Sequence, residues 1–188
     1  MNKNIIILWI TTIILCIIEL YSLKSDSHYK WDFIFLIMLI WGVYLLRKPL
    51  RLHHIHFFLL GLFLIMHNLG VFDAYVYLYW GIEYDFFMHA LFGLVAGLML
   101  FRYFHFVGPY KGWAKVAAII IIVLGLSAFH ELFEFAGALI FGKGEGVIFL
   151  GAGDLDQWDT QKDMLNGLLG SIIAIIMYNI FHLLYKKK

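Results

Sequence analysis

Charge is scarce in this chain: only 14% of its 188 residues are Asp, Glu, Lys or Arg, where a soluble domain averages about 25%. With 63% apolar and 19% aromatic residues, the composition excludes an ordinary water-soluble domain and calls for a non-aqueous solvent around much of the surface. The apolar segments use most of the length, which leaves no room for a large soluble domain beside them, so one membrane domain is expected. Cysteine is almost missing. The lone Cys16 sits in an apolar run, which excludes an internal disulfide and reads as a lipid-facing or packed thiol. There is no Pro-rich linker, internal repeat or low-complexity segment. No Gly-Lys-Ser/Thr ending follows the glycines of 142–153, and no basic recognition module is present. Nucleotide and nucleic-acid partners are therefore not expected.

What is there is a series of apolar runs, each near or somewhat below the roughly 20 residues that cross a bilayer as a helix. They predict an all-α, polytopic transmembrane bundle of about six helices, near 5–23, 31–46, 55–72, 85–107, 115–140 and 157–185. Lys3 before the first run resembles the start of a signal peptide, but no small-x-small cleavage site follows, so an uncleaved helix is expected. The stretch Asp73 to Trp80 (DAYVYLYW) suits the headgroup layer.

The charges that do occur are sorted by sign. On a six-helix path Lys3, Arg47, Lys48, Arg51, Arg102, Lys111, Lys115, Lys186, Lys187 and Lys188 fall on one side, against Lys24, Lys30, Lys143 and Lys162 on the other. The positive-inside rule then puts both termini in the cytoplasm. All thirteen acids map to the opposite, outer half, where a wrong helix count would have scattered them.

Three segments in that half carry the candidate chemistry. In YDFFMH, Asp85 and His89 are four apart and share a helix face; read structurally, Asp85 is a helix cap and His89 an interhelical hydrogen-bonding residue. In HELFE, His130, Glu131 and Glu134 fall within five positions. Glu131 sits on the order of 13 Å below the outer helix end, a depth at which an acid costs about 2.5–3.5 kcal/mol to insert. The motif departs from the HExxH zinc-protease pattern because Glu134 replaces the second His, so no protease is inferred. An E-x-x-E pair offers two carboxylates to one cation, and the plain structural alternative is a protonated, hydrogen-bonded pair. In GDLDQWDTQKDMLNGLLG, Asp156, Asp159, Asp163 and Asn166 follow steps of three, four and three along one helical stripe, with Gly167 and Gly170 near it to permit close helix approach. Acids that favour the positive end of a helix explain one or two of these, not a stripe of two turns.

Together, Asp85, His89, Glu131, Glu134, Asp156, Asp159 and Asp163 form a carboxylate/His set from three helices with Lys162 as the only basic neighbour in sequence. Carboxylates clustered without counter-charge bind protons or cations. Oxygen ligands with one His suit Mg²⁺, Mn²⁺ or Ca²⁺, with Zn²⁺ or Fe²⁺ as alternatives. Glu19, His67 and Asn166 are expected to support the site, and His130 or Glu131 to act as its base. The remaining histidines and the aromatic residues read as interfacial, packed or lipid-facing. The glycine-rich segment 142–153 reads as a lid, a re-entrant turn or an ordinary loop.

The run GDLDQWDTQKDMLNGLLG, with YDFFMH and HELFE upstream, resembles the YjdF-type family of bacterial inner-membrane proteins, from about His53 onward. A weaker likeness joins the last helix to VanZ-like membrane proteins. The resemblance implies a multi-pass protein of the bacterial plasma (inner) membrane and supplies no reaction. The residues themselves favour a metal-dependent hydrolase or transferase acting on a phosphate- or ester-containing lipid near the extracytoplasmic face, with membrane lipids as its partners. Two other classes remain open: a cation or proton transport protein, and a non-catalytic assembly or sensor protein in which a metal staples helices together. An absence of acids from the inner half weighs against transport.

Overall fold

Six hydrophobic segments without interior proline form helices. In the computed structural model, which describes residues 3–24, 32–141 and 158–185 (with 137–141 and 181–185 described as helix only), these are α1 (Lys3–Ser22), α2 (Asp32–Leu45), α3 (His54–His67), α4 (Tyr84–Phe106), α5 (Gly112–Phe141) and α6 (Asp159–Tyr185). The protein is an all-α, polytopic bundle in which five helices are long and apolar enough to cross a membrane. The 14-residue α2 measures roughly 21 Å at 1.5 Å per residue, short of the roughly 30 Å hydrocarbon core. The third predicted segment divides: its α-helix ends at His67 and a 3-10 turn carries Asn68–Phe72 onward. Asp156 and the glycine-rich segment 142–153 lie outside the described residues.

The aromatic stretch between α3 and α4 holds the sole sheet among the described residues, a two-stranded hairpin pairing Leu78 with Glu83 and Tyr79 with Ile82. Trp80 and Gly81 at its tip both take positive φ, +54° and +79°, as a two-residue turn that follows strand twist requires. Trp80 is 94% exposed.

Packing divides the bundle into two halves. Leu8, Leu15, Leu36, Ile40, Phe57, Leu60 and Leu64 build a core from α1, α2 and α3, and Val95 of α4 joins it. Trp41 Nε1–H donates to Thr12 Oγ1 at 3.0 Å across α1 and α2. Phe101, Phe104, Ile119, Val123 and Ile175 form the second core, from α4, α5 and α6. Large apolar side chains such as Ile17, Met38, Ile121 and Ile176 remain exposed, as expected of a surface solvated by lipid.

In lipid, apolar burial gives helices no preference for one another, so small residues that let backbones approach govern association. A side chain grown on Gly93 would run into the backbone carbonyl of Gly167, and one on Gly170 into that of Ala90. One turn farther along, a Cβ on Gly97 would meet Ala174 Cβ at 2.8 Å and Ser171 Cα at 3.2 Å. These contacts advance together along both chains, so α4 and α6 run parallel. Phe101 stacks on Tyr178 at 4.1 Å between ring centroids, farther down the same seam. Gly61 leaves similar room for Thr11 where α3 crosses α1.

Replacing Gly93 by Ala forces α4 from α6 and is expected to cost about 1–3 kcal/mol, read as a lowered melting temperature in detergent. Gly125→Ala, where a Cβ meets nothing within 4 Å, is the control and leaves melting unchanged or slightly raised. Equal melting of the two variants would contradict the seam.

Candidate metal centre

The glycine seam fixes what lies just above it. His89 is four residues before Gly93, and Asp163 four before Gly167, so one helical turn carries each side chain up from the point of closest approach. His89 Nε2 lies 3.7 Å from Asp163 Oδ2 across the two helices and 3.5 Å from Asp85 Oδ1 on its own helix. Helix α5 packs against both: Ser127 sits at Gly167, where a Cβ would come within 2.6 Å of its hydroxyl. One turn onward along α5 come His130 and Glu131. The rings of His89 and His130 are 5.6 Å apart. Thr160 of α6 lies beside the Glu131 carboxyl.

Three overlapping trios result, in each of which one ligand atom per residue lies within 4.8 Å of the others: Asp85–His89–Asp163, His89–His130–Glu131 and Glu131–Asp159–Asp163. His89, Glu131 and Asp163 each belong to two trios, and these three are the most buried of the six, at 7%, 8% and 3% exposure. Their desolvation is severe in a membrane interior, so their charges require partners. Glu131 Oε1, Asn166 Nδ2 and Ser127 Oγ are buried and lack a hydrogen-bond partner among the described residues. Such orphaned atoms are rare in folded proteins and mark positions that take an ion or a water.

The residues singled out from sequence fall in different places. Asp85, His89, Glu131, Asp159 and Asp163 come together from three helices, and His130 joins them as a donor atom beside Glu131. Glu134 is in none of the trios. It faces His130, Glu134 Oε1 to His130 Nε2 at 3.4 Å, the arrangement by which a carboxylate orients an imidazole. Asn166 continues the stripe below Asp163 and is 2% exposed. His67 hydrogen-bonds the Tyr75 hydroxyl through Nδ1 at 2.7 Å; it lies within electrostatic range of Asp85, His89 and His130 and in no trio. Glu19 is buried in the last turn of α1, in the other half of the bundle. Asp156 is outside the described residues. Ser127, Thr160 and Tyr75 were not singled out from sequence. Ser127 precedes Glu131 by four positions, so helical periodicity held a signal for it.

A family model described as "Predicted membrane protein (DUF2238)" matches residues 4–183. "Inner membrane protein YjdF" of Escherichia coli (strain K12) is 39% identical over 101 residues, which cover 53% of this chain and 47% of that one. The chain thus spans about half the length of this curated relative in the alignment. No solved structure matches.

The convergence of α4 and α6 at this end is testable without any ligand. In a Cys16→Ser background, cysteines replacing Asp85 and Asp163 should be bridged by a single mercuric ion, seen as one added metal mass per chain. Cysteines replacing Glu19 and Asp163, which lie in different halves, should bind mercury singly or not at all. The reverse pattern would refute the arrangement.

Proposed function

The chain belongs to the DUF2238 family of predicted membrane proteins, and we propose that it is a metal-dependent membrane enzyme, a hydrolase or transferase acting on a phosphate- or ester-containing lipid from the outer leaflet. The observation that carries this reading is the Glu131 oxygen Oε1. It is buried and without a hydrogen-bond donor among the described residues, in a carboxylate shared by two ligand trios. An ionised carboxyl in that position needs a cation beside it.

The donor sets favour different ions. His89, His130 and Glu131 supply two imidazoles and a carboxylate, the complement used for Zn²⁺ or Fe²⁺. Glu131, Asp159 and Asp163 supply oxygen alone, which suits Mg²⁺, Mn²⁺ or Ca²⁺. Such an ion polarises a phosphoryl or carbonyl oxygen and lowers the pKa of bound water. His130 serves as ligand or as base, oriented in either role by Glu134. The name of the relative, an inner membrane protein, agrees with the apolar helices in assigning a multi-pass bacterial inner-membrane protein. The basic residues at the opposite end favour an outward-facing site.

Against an ion pathway stands the apolar core of Phe101, Phe104, Ile119, Val123 and Ile175 beneath the site, between the same three helices. A conducting path needs polar lining through that layer.

Purified protein should carry a divalent ion, measured by plasma mass spectrometry, that Glu131→Gln and Asp159→Asn abolish. Glu134→Gln should retain the ion with affinity lower by about 10–100-fold, as for groups that orient a ligand. Vesicles of phosphate- or ester-containing lipid should be turned over by the metal-loaded protein and left intact after chelation. Equal metal content in wild type and variants rejects the site. Metal loss that lowers only the melting temperature, with no turnover of any lipid tested, rejects the enzyme and leaves a structural staple.

A further inference from the structure

The opposite end of the bundle carries an open cleft of about 680 Å³, lined by Asn4, Arg47, Lys48, Arg51, His53 and Arg102 among others. It gathers the start of α1, the α2–α3 turn, the start of α3 and the end of α4. No acid lines it. Four cations therefore share one cleft with no protein counter-charge among the described residues.

Two of the guanidinium groups are held in position. Arg47 donates to the Tyr44 carbonyl at 3.0 Å, and its Cζ lies 3.9 Å over the Tyr44 ring. Arg102 donates through Nε to the Arg51 carbonyl at 2.9 Å, with its Cζ 4.2 Å from the Phe106 ring. Each is anchored by one edge and keeps its remaining N–H groups for a ligand, the fork that matches phosphate oxygens. The turn is curled to bring its cations together: the Leu52 N–H bonds the Arg47 carbonyl at 2.9 Å, and Arg51 takes the left-handed φ of +56°. The α3 N-terminus adds its own positive dipole end.

We propose that this cleft binds a phosphate group, that of an anionic phospholipid drawn from the leaflet at that end. The lipid source is favoured by what surrounds the cavity. Val107 lines the cleft and is 47% exposed, and its chain neighbour Phe106 and the pair Leu45 and Leu46 just before Arg47 are exposed too, which offers apolar surface for acyl chains near a charged head. Basic pockets between transmembrane helices take anionic headgroups on these terms. The same positive field is felt by His53, whose pKa is held below its ordinary value by burial first and then by the charges of His54, Arg102 and Lys3.

The test uses full-length protein in detergent, probed with phosphatidylglycerol, phosphatidylethanolamine or inorganic phosphate and read by native mass spectrometry and thermal melting. Lys48→Gln with Arg51→Gln is the chosen variant, because its altered head groups make no bond within the described protein and the fold is left intact. Wild type should retain phosphatidylglycerol and melt higher with it, at least tenfold more effectively than the double variant, while phosphatidylethanolamine is released. Stabilisation by inorganic phosphate alone, equally sensitive to the variant, would keep the phosphate site and assign it a soluble ligand. Ligand effects of equal size in wild type and variant would overturn the proposal.

Discussion

The close approach of α4 and α6 is the contact on which the candidate chemistry depends. Gly93 and Gly167 meet backbone to backbone because neither has a side chain. Every polar distance above them follows from that meeting. His89 and Asp163 each lie one turn beyond a glycine, and their side chains come to 3.7 Å of each other across the seam. In a bilayer, such proximity is won by packing and by shared polar groups, since lipid tails compete evenly with apolar side chains. The seam supplies the first of these. The second is the carboxylate/His cluster itself, in which polar side chains of three helices meet. Position and chemistry thus support each other: without the seam the ligand atoms spread, and without a cation or proton among them the carboxylates repel.

The halves of the bundle divide this work. Helices α4, α5 and α6 hold the trios, while α1, α2 and α3 form an apolar block that buttresses α4 through Val95. The buttress reaches the site at its upper edge, where Tyr84 donates its hydroxyl hydrogen to the Met66 carbonyl at 2.8 Å and Tyr75 bonds His67. These two tyrosines pack at 5.1 Å, nearly perpendicular to each other, and tie the end of α3 to the start of α4 next to Asp85. The aromatic stretch therefore combines two roles along its length, exposed at Trp80 and packed at Tyr84.

The helix path was legible because charge is rare enough for its placement to be informative. Placing all thirteen acids in one half leads to a path of about six helices, and the described residues hold six α-helices, five of them long and apolar enough to cross a membrane. The stripe of Asp159, Asp163 and Asn166 was legible for a similar reason, as polar spacing in an otherwise apolar helix stands out. What could not be read was carried by residues with no polar signature or by partners distant in sequence. The Gly93-x-x-x-Gly97 spacing lies inside a long apolar run, and only the opposing Gly167, some seventy residues on, gives it meaning. Glu134 looked like a second carboxylate for a shared ion because E-x-x-E places two acids on neighbouring faces. The same helical geometry stacks it four residues above His130, and the imidazole is the partner it faces. The shortening of α3 at His67 was hidden because apolar composition continues through Phe72 in the 3-10 turn.

The two polar ends obey one rule with opposite signs. A membrane protein keeps buried charge only where something offsets the lost hydration. At the acidic end the helices themselves supply part of the answer, as imidazoles lie against carboxylates. The remaining mismatch is confined to a few atoms such as Glu131 Oε1, a scale suited to an ion of small radius. At the basic end the offset is incomplete over a whole cavity, with four cationic side chains facing space larger than any single ion. The first mismatch is on the scale of single atoms, and the second spans a cleft. Charge sorted by sign between the two ends therefore sets two different problems of compensation, one among side chains of three helices and one across an open cleft.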